Sequence, residues 1–361
     1  MKIAVIGAGG FIGGRIVEHL HLATRHAVVP IVRAPSRLAL PARFALPWQI
    51  GDALDSDSLT RALNGCDAVV HAALGDPRQI EAMPGILAQA AARANVPRVV
   101  YLSTASVHGQ APAPGTHEGT PLHTRHALDY NNAKVRAERA FFNAATRQDL
   151  EAFALRPGVV YGPRSRWITD AASDLRLGRA WLFREGDGIC NGIYVDNLVS
   201  AVTAALVAPA TVAGAYLVGD KETITWRDFY DEIGAGLALR SPLLHRIDQA
   251  PAFPRSPAVR LQRLVGHPGV QRLLPFVPSR LKQVTKRLVA AANAPVRPAA
   301  WALPTIPGPR ITEELALLQQ CRWKFPHDHA ARQLGYRPPV SFAEAVRRSL
   351  SWLAFAEGRS A

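Results

Sequence analysis

The sequence predicts an α/β fold in which a doubly wound parallel sheet carries helices on both faces and a smaller α/β lobe is attached to it. Two observations predict this fold. Short apolar runs alternate along the chain with segments of helical periodicity, which is the pattern of parallel strands joined by crossover helices. The first of these runs, over residues 2–6, leads directly into a glycine-rich turn.

The glycine-rich turn predicts where a dinucleotide binds. Its glycines recur every third residue as Gly7-x-x-Gly10-x-x-Gly13, whereas the other register, Gly7-x-Gly9-x-x-Ile12, is incomplete. Glycine lets the backbone turn sharply, approach a pyrophosphate without a Cβ in the way, and pack the next helix on the sheet. The N–H groups that open this helix then face the phosphates. The turn therefore predicts a Rossmann-like site whose binding residues are Gly7, Gly10, Phe11, Ile12 and Gly13.

A basic residue follows the second predicted strand, residues 27–32. An acidic side chain at this position would bind the ribose 2′-hydroxyl of NAD, which Arg33 cannot do. Arg33 and the nearby Arg37 can instead pair with the 2′-phosphate of NADP. The position favours NADP over NAD as the cofactor, although solvated loop arginines are an alternative interpretation.

Further strands and helices alternate beyond residue 48. We expect a short strand over 48–50, a helix over 56–63, a strand over 68–71, a helix over about 84–94 and a strand over 98–102. Ligands of a doubly wound sheet bind at the carboxyl ends of its strands. Asp52 follows one such end and is placed to bond the adenine, and Ala72-Ala73 follow another.

Hydroxyl and amine side chains come next. Ser103 and Thr104 follow the strand over 98–102, and either hydroxyl could hold a substrate oxygen, with Thr104 preferred. Tyr130 and Lys134 lie four residues apart at the start of a predicted helix, so they share one helix face. A cation near the phenol favours the phenolate, so we expect the Tyr130 pKa to fall from its ordinary value of about 10 toward neutrality. Tyr130 would then serve as an acid and base.

Taken in order, these motifs resemble the extended short-chain dehydrogenase/reductase superfamily of the NAD-dependent epimerase/dehydratase type. The resemblance runs along the whole chain and includes LRPGVVYGP at 155–163 and YVDN at 194–197. It implies that Tyr130 is the catalytic acid/base, that Lys134 binds the nicotinamide ribose, and that Thr104 orients the reacting oxygen. It also implies a homodimer through a helix bundle that includes the tyrosine helix. The remaining cofactor contacts that it implies are Ser103, Pro157, Val159 and Val160.

Departures from the family pattern favour one branch. Ala105-Ser106 stand where sugar-nucleotide dehydratases carry an Asp-Glu pair, and Val159 and Cys190 replace the asparagine and arginine usual in nucleotide-sugar epimerases. The run 186–197 is similar to the hydroxysteroid dehydrogenase and dihydroflavonol reductase branches. The resemblance thus implies hydride transfer to or from an alcohol or ketone carbon of an apolar or lipid-like substrate. A nucleotide-sugar epimerase and a non-catalytic NADPH-binding regulator are the alternatives.

The family pattern also predicts how the chain is divided. Residues 1–162 and 190–222 would form the nucleotide-binding domain, and residues 163–189 and 223–361 the substrate lobe. A strand over 214–218, a helix capped by Thr225 and a last helix around 343–353 belong to this prediction.

The net charge of +14 is concentrated in a proline-rich segment at about 249–312. Between Asp248 and Glu313 there are ten arginines and lysines and no acidic residue. The first interpretation is a covering pair of short amphipathic helices with a solvated basic face. The second is peripheral contact with an anionic membrane surface. Nucleic-acid binding is disfavoured because no recognition motif accompanies the charge.

Cysteine and histidine usage argues against a metal and a disulfide framework. The cysteines at 66, 190 and 321 are far apart. The histidines at 117, 123 and 126 cluster in one loop, but no further ligand at the spacing of a metal site accompanies them. No apolar run is long enough to cross a membrane. We therefore expect a metal-free protein of a reducing compartment, the cytoplasm, with contact at the inner membrane surface as an alternative.

Overall fold

The computed structural model describes residues 1–240, 243–253 and 308–358. The chain divides into one unit of Met1–Gln249 and Pro309–Ala361 and a second of Ala250–Gly308. The strands and helices of the described residues belong to the first unit. Most of the predicted basic segment, residues 254–307, lies outside the described residues, so the interpretations of that segment stay predictions.

The elements alternate as the sequence predicts. The strands are β1 (Lys2–Ile6), β2 (Ala27–Val32), β3 (Gln49–Ile50), β4 (Ala68–His71), β5 (Arg98–Leu102), β6 (Glu151–Pro157), β7 (Val159–Tyr161), β8 (Trp181–Phe183), β9 (Ile189–Cys190), β10 (Gly192–Tyr194), β11 (Gly214–Val218), β12 (Ile224–Thr225) and β13 (His245–Ile247). The helices are α1 (Phe11–Ala23), α2 (Ser56–Leu63), α3 (Pro77–Arg93), α4 (Asp129–Arg147), α5 (Arg166–Arg176), α6 (Val195–Val207), α7 (Trp226–Gly236), α8 (Glu313–Leu318), α9 (Asp328–Leu334) and α10 (Phe342–Ala356).

A seven-stranded sheet in the order β3-β2-β1-β4-β5-β6-β11 confirms the predicted doubly wound fold. Every pairing in it is parallel. Residues 3–6 of β1 are buried because helices cover both faces of the sheet. One face packs on α1 and α6, and the other on α2, α3 and α4. The chain reverses its winding between β1 and β4, which is where such sheets bind ligands.

Helix α3 begins at Pro77, so the prediction that it starts near Pro84 was wrong. Asp76 caps the helix by accepting bonds from the backbone N–H groups of Arg78 and Gln79 at 2.9 and 3.0 Å. The Gln79 side-chain oxygen accepts a bond from the Asp76 backbone N–H, which completes a capping box. Pro84 therefore lies inside the helix, where a proline costs about 3 kcal/mol. Burial of Pro84 and packing of α3 against α4 offset this cost.

A second core lies beside the sheet. Trp226, Phe229 and Tyr230 of α7 pack there against side chains of α5 and α10. The predicted cap of α7 is confirmed, because Thr225 and Asp228 form a capping box. Short strand pairs, β7 with β10, β9 with β12 and β8 with β13, border this core. The predicted domain limits, 1–162 with 190–222 and 163–189 with 223–361, stay a prediction.

Candidate active site

The β1–α1 turn packs its backbone against neighbouring backbone. Gly7 has a φ of +83°, and a Cβ there would lie 2.8 Å from the Ala73 nitrogen and 2.9 Å from the Ala72 carbonyl carbon. A Cβ on Gly13 would lie 2.2 Å from the Gly7 oxygen. Gly10 is less crowded, with 3.2 Å to the same oxygen. The turn therefore joins the ends of β1 and β4 and the start of α1, where Ala72 and Ala73 were predicted to line the site.

Gly9 is a site residue that sequence reasoning missed. A Cβ on Gly9 would lie 2.3 Å from the Arg37 carbonyl oxygen, so this glycine allows the loop after β2 to approach the turn. The register that contains Gly9 is incomplete in the sequence, because Ile12 stands at its last position. Helix α1 has no side-chain cap among the described residues, which leaves its first N–H groups for an anion. This narrow cradle of backbone fits the pyrophosphate of a dinucleotide.

Arg33, Arg37 and Asp52 border the cradle at the ends of β2 and β3. Both arginines are exposed. Asp52 is half-buried, and its Oδ1 accepts a bond from the Leu54 N–H at 3.0 Å. The three side chains therefore follow the ends of β2 and β3, and the two arginines are open to solvent; their contact with the adenosine part of a cofactor stays a prediction.

A cavity of about 870 Å³ opens at the carboxyl ends of β5 and β7. Of the predicted site residues it is lined by Phe11, Ile12, Thr104, Tyr130, Val159 and Val160. Its far wall, residues 164–325 of the lining, combines aromatic and aliphatic side chains with charged ones such as Arg166, Asp170 and Arg310. The largest apolar side chains of this wall are Trp167, Trp226, Phe229, Leu315, Leu318 and Phe325. The cavity thus brings Thr104 and Tyr130 together beneath an apolar surface.

The pKa of Tyr130 moves in the direction opposite to the prediction. Burial and the charge of Glu314 raise the pKa of Tyr130 to about 12, while a hydrogen bond with the Thr104 side chain acts to lower it. The expectation of a lowered pKa is therefore wrong for this structure. The main reason is burial of the phenol, and the Lys134 ammonium donates to the Leu102 carbonyl oxygen.

Lys134 is buried beneath the sheet end. Its Nζ donates a hydrogen bond to the Leu102 carbonyl oxygen at 3.0 Å and lies 5.1 Å from the centre of the Tyr101 ring. Burial lowers the pKa of Lys134 to about 8, against the opposing charge of Glu138. Burial and the charge of Lys134 also lower the pKa of His71, at the end of β4, to about 3. Neither ring nitrogen of His71 has a partner among the described residues.

Ser103 does not face the cavity, which favours Thr104 for the hydroxyl position. The Ser103 hydroxyl donates to Glu138 at 2.5 Å, and Arg156 forms a buried ion pair with the same carboxylate. Arg156 also donates to His108 Nε2 at 3.2 Å, and burial followed by this guanidinium lowers the pKa of His108 to about 3. The network ties β5, α4 and β6 together below the site.

Pro157 ends β6 close to Thr104. Its carbonyl oxygen lies 3.5 Å from the Thr104 hydroxyl, which donates toward it. Val159 and Val160 follow on β7 and line the cavity. Cys190, the other position at which the chain departs from the epimerase pattern, is fully buried. Burial raises the pKa of the Cys190 thiol, so this side chain stays neutral.

Several polar cavity residues were not predicted. Ser106, Gln110, Arg164 and Glu314 all line the cavity. Gln110 Nε2 donates to Glu314 Oε1 at 3.5 Å, although the two residues are far apart in the sequence. No motif marks these positions, because they come from separate parts of the chain that meet only in the folded cavity.

The described ranges contain neither a metal-ligand cluster nor a membrane-spanning helix. Residues 1–240, 243–253 and 308–358 hold no group of three or more potential metal ligands. No helix in these ranges has the length and apolar character to cross a bilayer. The histidines at 117, 123 and 126 lie outside the cavity wall, and His126 bonds the Val107 carbonyl oxygen at 3.0 Å.

Residues 3–219 match the NAD dependent epimerase/dehydratase family. The chain belongs to this family. A 2-alkyl-3-oxoalkanoate reductase from Shewanella oneidensis is 30% identical over 273 residues, which cover 69% of this chain and 69% of that protein. The protein of the same name from Stenotrophomonas maltophilia is 27% identical over 369 aligned positions, covering 96% of this chain and 98% of the relative.

Solved structures share the fold of this epimerase/dehydratase family member. UDP-glucuronic acid 4-epimerase from Bacillus cereus, in complex with NAD, has a TM-score of 0.69 at 17% identity, covering 100% of this chain and 99% of that one. The predicted superfamily, the Rossmann-like fold and the prediction of an enzyme with a nicotinamide cofactor are confirmed. The choice of NADP over NAD, the homodimer and the membrane contact stay predictions.

Proposed function

We propose that the protein is an NAD(P)-dependent oxidoreductase that interconverts a ketone and a secondary alcohol on an alkyl-chain substrate. The observation that carries this proposal is the apolar wall of the cavity over Thr104 and Tyr130. Apolar walls with a few convergent polar groups are typical of sites for apolar ligands. The two relatives named for 2-alkyl-3-oxoalkanoate reduction support the same substrate class.

The proposed reaction divides its work between three side chains. A bound reduced nicotinamide would supply the hydride for the carbonyl carbon and would itself be oxidised. The Tyr130 hydroxyl gives its proton to the carbonyl oxygen, which becomes the hydroxyl of the product. Thr104 orients that oxygen, and Lys134 holds the nicotinamide ribose from below. A Tyr130 pKa of about 12 keeps this proton donor protonated before the reaction.

A comparison of two substrates tests this function. Purified protein with NAD⁺ and NADP⁺ is offered 2-butyl-3-hydroxyoctanoate or UDP-glucose. Formation of the reduced cofactor is followed for the hydroxy acid, and formation of the 4-epimer is followed for UDP-glucose. We expect oxidation of the hydroxy acid only, with a loss of about 10²-fold or more in the Tyr130→Phe variant. Tyr216→Phe, whose hydroxyl bonds the Val212 carbonyl oxygen, is the control. Failure to oxidise the hydroxy acid would contradict the proposal.

NADP is the proposed cofactor, on the strength of the two exposed arginines after β2. Isothermal titration with NADPH and NADH should give tighter binding of NADPH, and Arg33→Asp should abolish the difference because a carboxylate repels the 2′-phosphate. Arg332→Asp, an exposed arginine on α9, is the matched control. Equal binding of both cofactors by the wild type would make Arg33 a bystander and remove the argument for NADP.

A nucleotide-sugar epimerase remains the second candidate, because the family includes epimerases and the fold matches one. An epimerase tends to retain its dinucleotide through purification, whereas a dehydrogenase exchanges it freely. Cofactor content of the purified protein therefore separates the two. The third candidate, an NADPH-binding regulator, has no use for a tyrosine beside a threonine in the cavity.

The partners other than substrate stay at the level of expectation. A homodimer through the helix bundle that includes α4 follows from the family resemblance, and contact of the basic segment with an anionic membrane follows from its charge. Sedimentation of the protein with anionic liposomes at low salt tests the membrane contact, and absence of sedimentation would remove it.

A further inference from the structure

An arginine occupies a glycine-like backbone position in the loop after β7. The Ser165 N–H donates to the Gly162 carbonyl oxygen at 3.0 Å and closes a four-residue turn. The ring of Pro163 fixes its own φ at about −65°, and Arg164 has a φ of +75°. These angles define a type II turn, whose third position favours glycine or asparagine because other side chains crowd the backbone there. Arg164 therefore places a long side chain at a position where the backbone conformation favours glycine or asparagine.

Arg164 lines the same cavity as Tyr130 and Thr104. Two other arginines line it, and both are paired. Arg310 lies 3.5 Å from Asp170 and 3.8 Å from Asp174, and Arg166 lies 3.6 Å from Asp170. Within residues 1–240, 243–253 and 308–358, Arg164 has no carboxylate within 4.0 Å and no side-chain hydrogen bond. Its charge is therefore available to a ligand.

The acidic side chains of the cavity are engaged elsewhere. Asp170 and Asp174 face Arg310, Glu314 accepts a bond from Gln110, and Asp129 has an interaction of its own. Most of the remaining wall is apolar, and an anion placed against such a wall needs a charged, hydrogen-bonding partner. A guanidinium suits this purpose, since it binds a carboxylate through two parallel hydrogen bonds.

We propose that Arg164 binds the carboxylate of the substrate, so that the cavity takes an alkyl acid whose chain lies against the apolar wall. This inference rests on the proposed oxidoreductase function, because it names the substrate group that the same cavity recognises. The carboxylate fixes one end of the substrate, and the reacting carbon is then presented to Tyr130. Arg164 is thus a specificity-determining residue and takes no part in proton transfer.

Equilibrium binding of unreactive probes tests the inference. The full chain, with excess NAD⁺ and NADP⁺, is titrated with 2-butyloctanoate and with 2-butyloctanamide. The two probes share one alkyl skeleton, and neither carries the hydroxyl or ketone group on which the proposed reaction acts. The wild type should bind the acid at least about tenfold more tightly, as expected for a charge-assisted hydrogen bond. Arg164→Gly should lose this preference, and Arg164→Lys should retain part of it.

The glycine variant suits the turn, so its Tm should equal or exceed that of the wild type and a folding defect will not hide the result. Arg184→Gly is the matched control, because Arg184 also has a positive φ, +52°, and lies outside the cavity wall. This control should keep the full preference for the acid.

Three outcomes overturn the inference: equal binding of acid and amide by the wild type, a preserved preference in Arg164→Gly, or no binding of either probe. None of them depends on turnover, because neither probe reacts. Failure of the proposed function would appear separately, as absence of oxidation of 2-butyl-3-hydroxyoctanoate. If that hydroxy acid is oxidised while Arg164→Gly changes nothing, the function stands and the role of Arg164 falls.

Discussion

The strength of Tyr130 as a proton donor depends on a carboxylate from a distant part of the chain. Burial raises the pKa of Tyr130 most, and the negative charge of Glu314, which reaches the cavity on α8, raises it further. Burial raises the pKa of Glu314 in turn. Two titratable groups therefore share the cavity, and the charge of Glu314 acts on the pKa of Tyr130.

Replacing Glu314 by glutamine should shift the pH dependence of ketone reduction. Removal of the negative charge lowers the Tyr130 pKa, so the proton donor is lost at a lower pH and the basic limb of the kcat/KM profile moves to lower pH. Glu313→Gln is the control, since Glu313 lies on the same helix and outside the cavity wall. An unmoved basic limb in Glu314→Gln would show that this carboxylate does not act on Tyr130.

The sequence marked the positions of the candidate site residues, but it did not give the direction in which the Tyr130 pKa shifts. The spacing of Tyr130 and Lys134 and the strand-end hydroxyls marked one helix and one strand end, because helical and strand periodicity are local. The direction of the Tyr130 pKa was predicted wrongly. It depends on burial and on Glu314, neither of which a local pattern contains, and the lysine donates to Leu102 instead of approaching the phenol.

At the scale of elements, the β1–α1 turn was predicted from glycine spacing, but the backbone contacts assign the glycines differently. Gly9, from the incomplete register, lies under the Arg37 carbonyl, and Gly10, from the complete one, has more room. Spacing alone cannot distinguish them, because the contact with Arg37 comes from a loop elsewhere in the sequence.

Alanine at these two glycines should have unequal effects. Gly9→Ala places a Cβ 2.3 Å from the Arg37 oxygen and should weaken dinucleotide binding at least about tenfold by displacing the loop that borders the cradle. Gly10→Ala, at 3.2 Å, should have a smaller effect. Gly85→Ala, with no atom within 4 Å of its Cβ, is the control. Titration with NADPH measures all three, and a larger loss in Gly10→Ala would contradict this assignment.

The Glu138–Arg156 pair should be a sensitive point of the fold. Both side chains are buried, and removal of one partner leaves a buried charge without compensation, so Arg156→Met should lower the free energy of unfolding by about 3–5 kcal/mol. Replacing both, as Glu138→Leu with Arg156→Met, should cost less than the sum of the single changes. The exposed pair Arg93–Asp57 supplies the control, where Arg93→Met should cost about 0–1 kcal/mol.

Urea denaturation measures these differences. Equal and small effects at the buried and exposed pairs would mean that the network of Ser103, Glu138 and Arg156 does not hold the sheet end together.

For the whole molecule, the doubly wound parallel sheet was predicted from the sequence, and the cavity was not. Continuous apolar runs such as residues 68–71 and 98–102 can only be buried strands of a covered sheet, and they appear with those bounds. The cavity draws Trp167, Trp226 and Leu315 from helices that are distant in sequence. Their proximity is a property of packing, so sequence patterns marked Thr104 and Tyr130 as candidates and missed the apolar side chains that lie opposite them.

In the proposed function, the ends of the strands hold the nicotinamide, and the second core holds an alkyl chain over Tyr130. The two parts meet in one cavity, so the hydride would pass between the nicotinamide and a carbon of an apolar substrate. The hydrogen that leaves the substrate carbon is therefore the atom to follow.

The measurement that tests this proposal most directly is deuterium transfer from 2-butyl-3-hydroxyoctanoate labelled at carbon 3. Mass spectrometry of the released cofactor should find the label on the reduced nicotinamide, in equal amount to the 3-oxo acid formed. Reduced cofactor without label, or turnover of UDP-glucose with the dinucleotide retained and the hydroxy acid untouched, would contradict the proposed function.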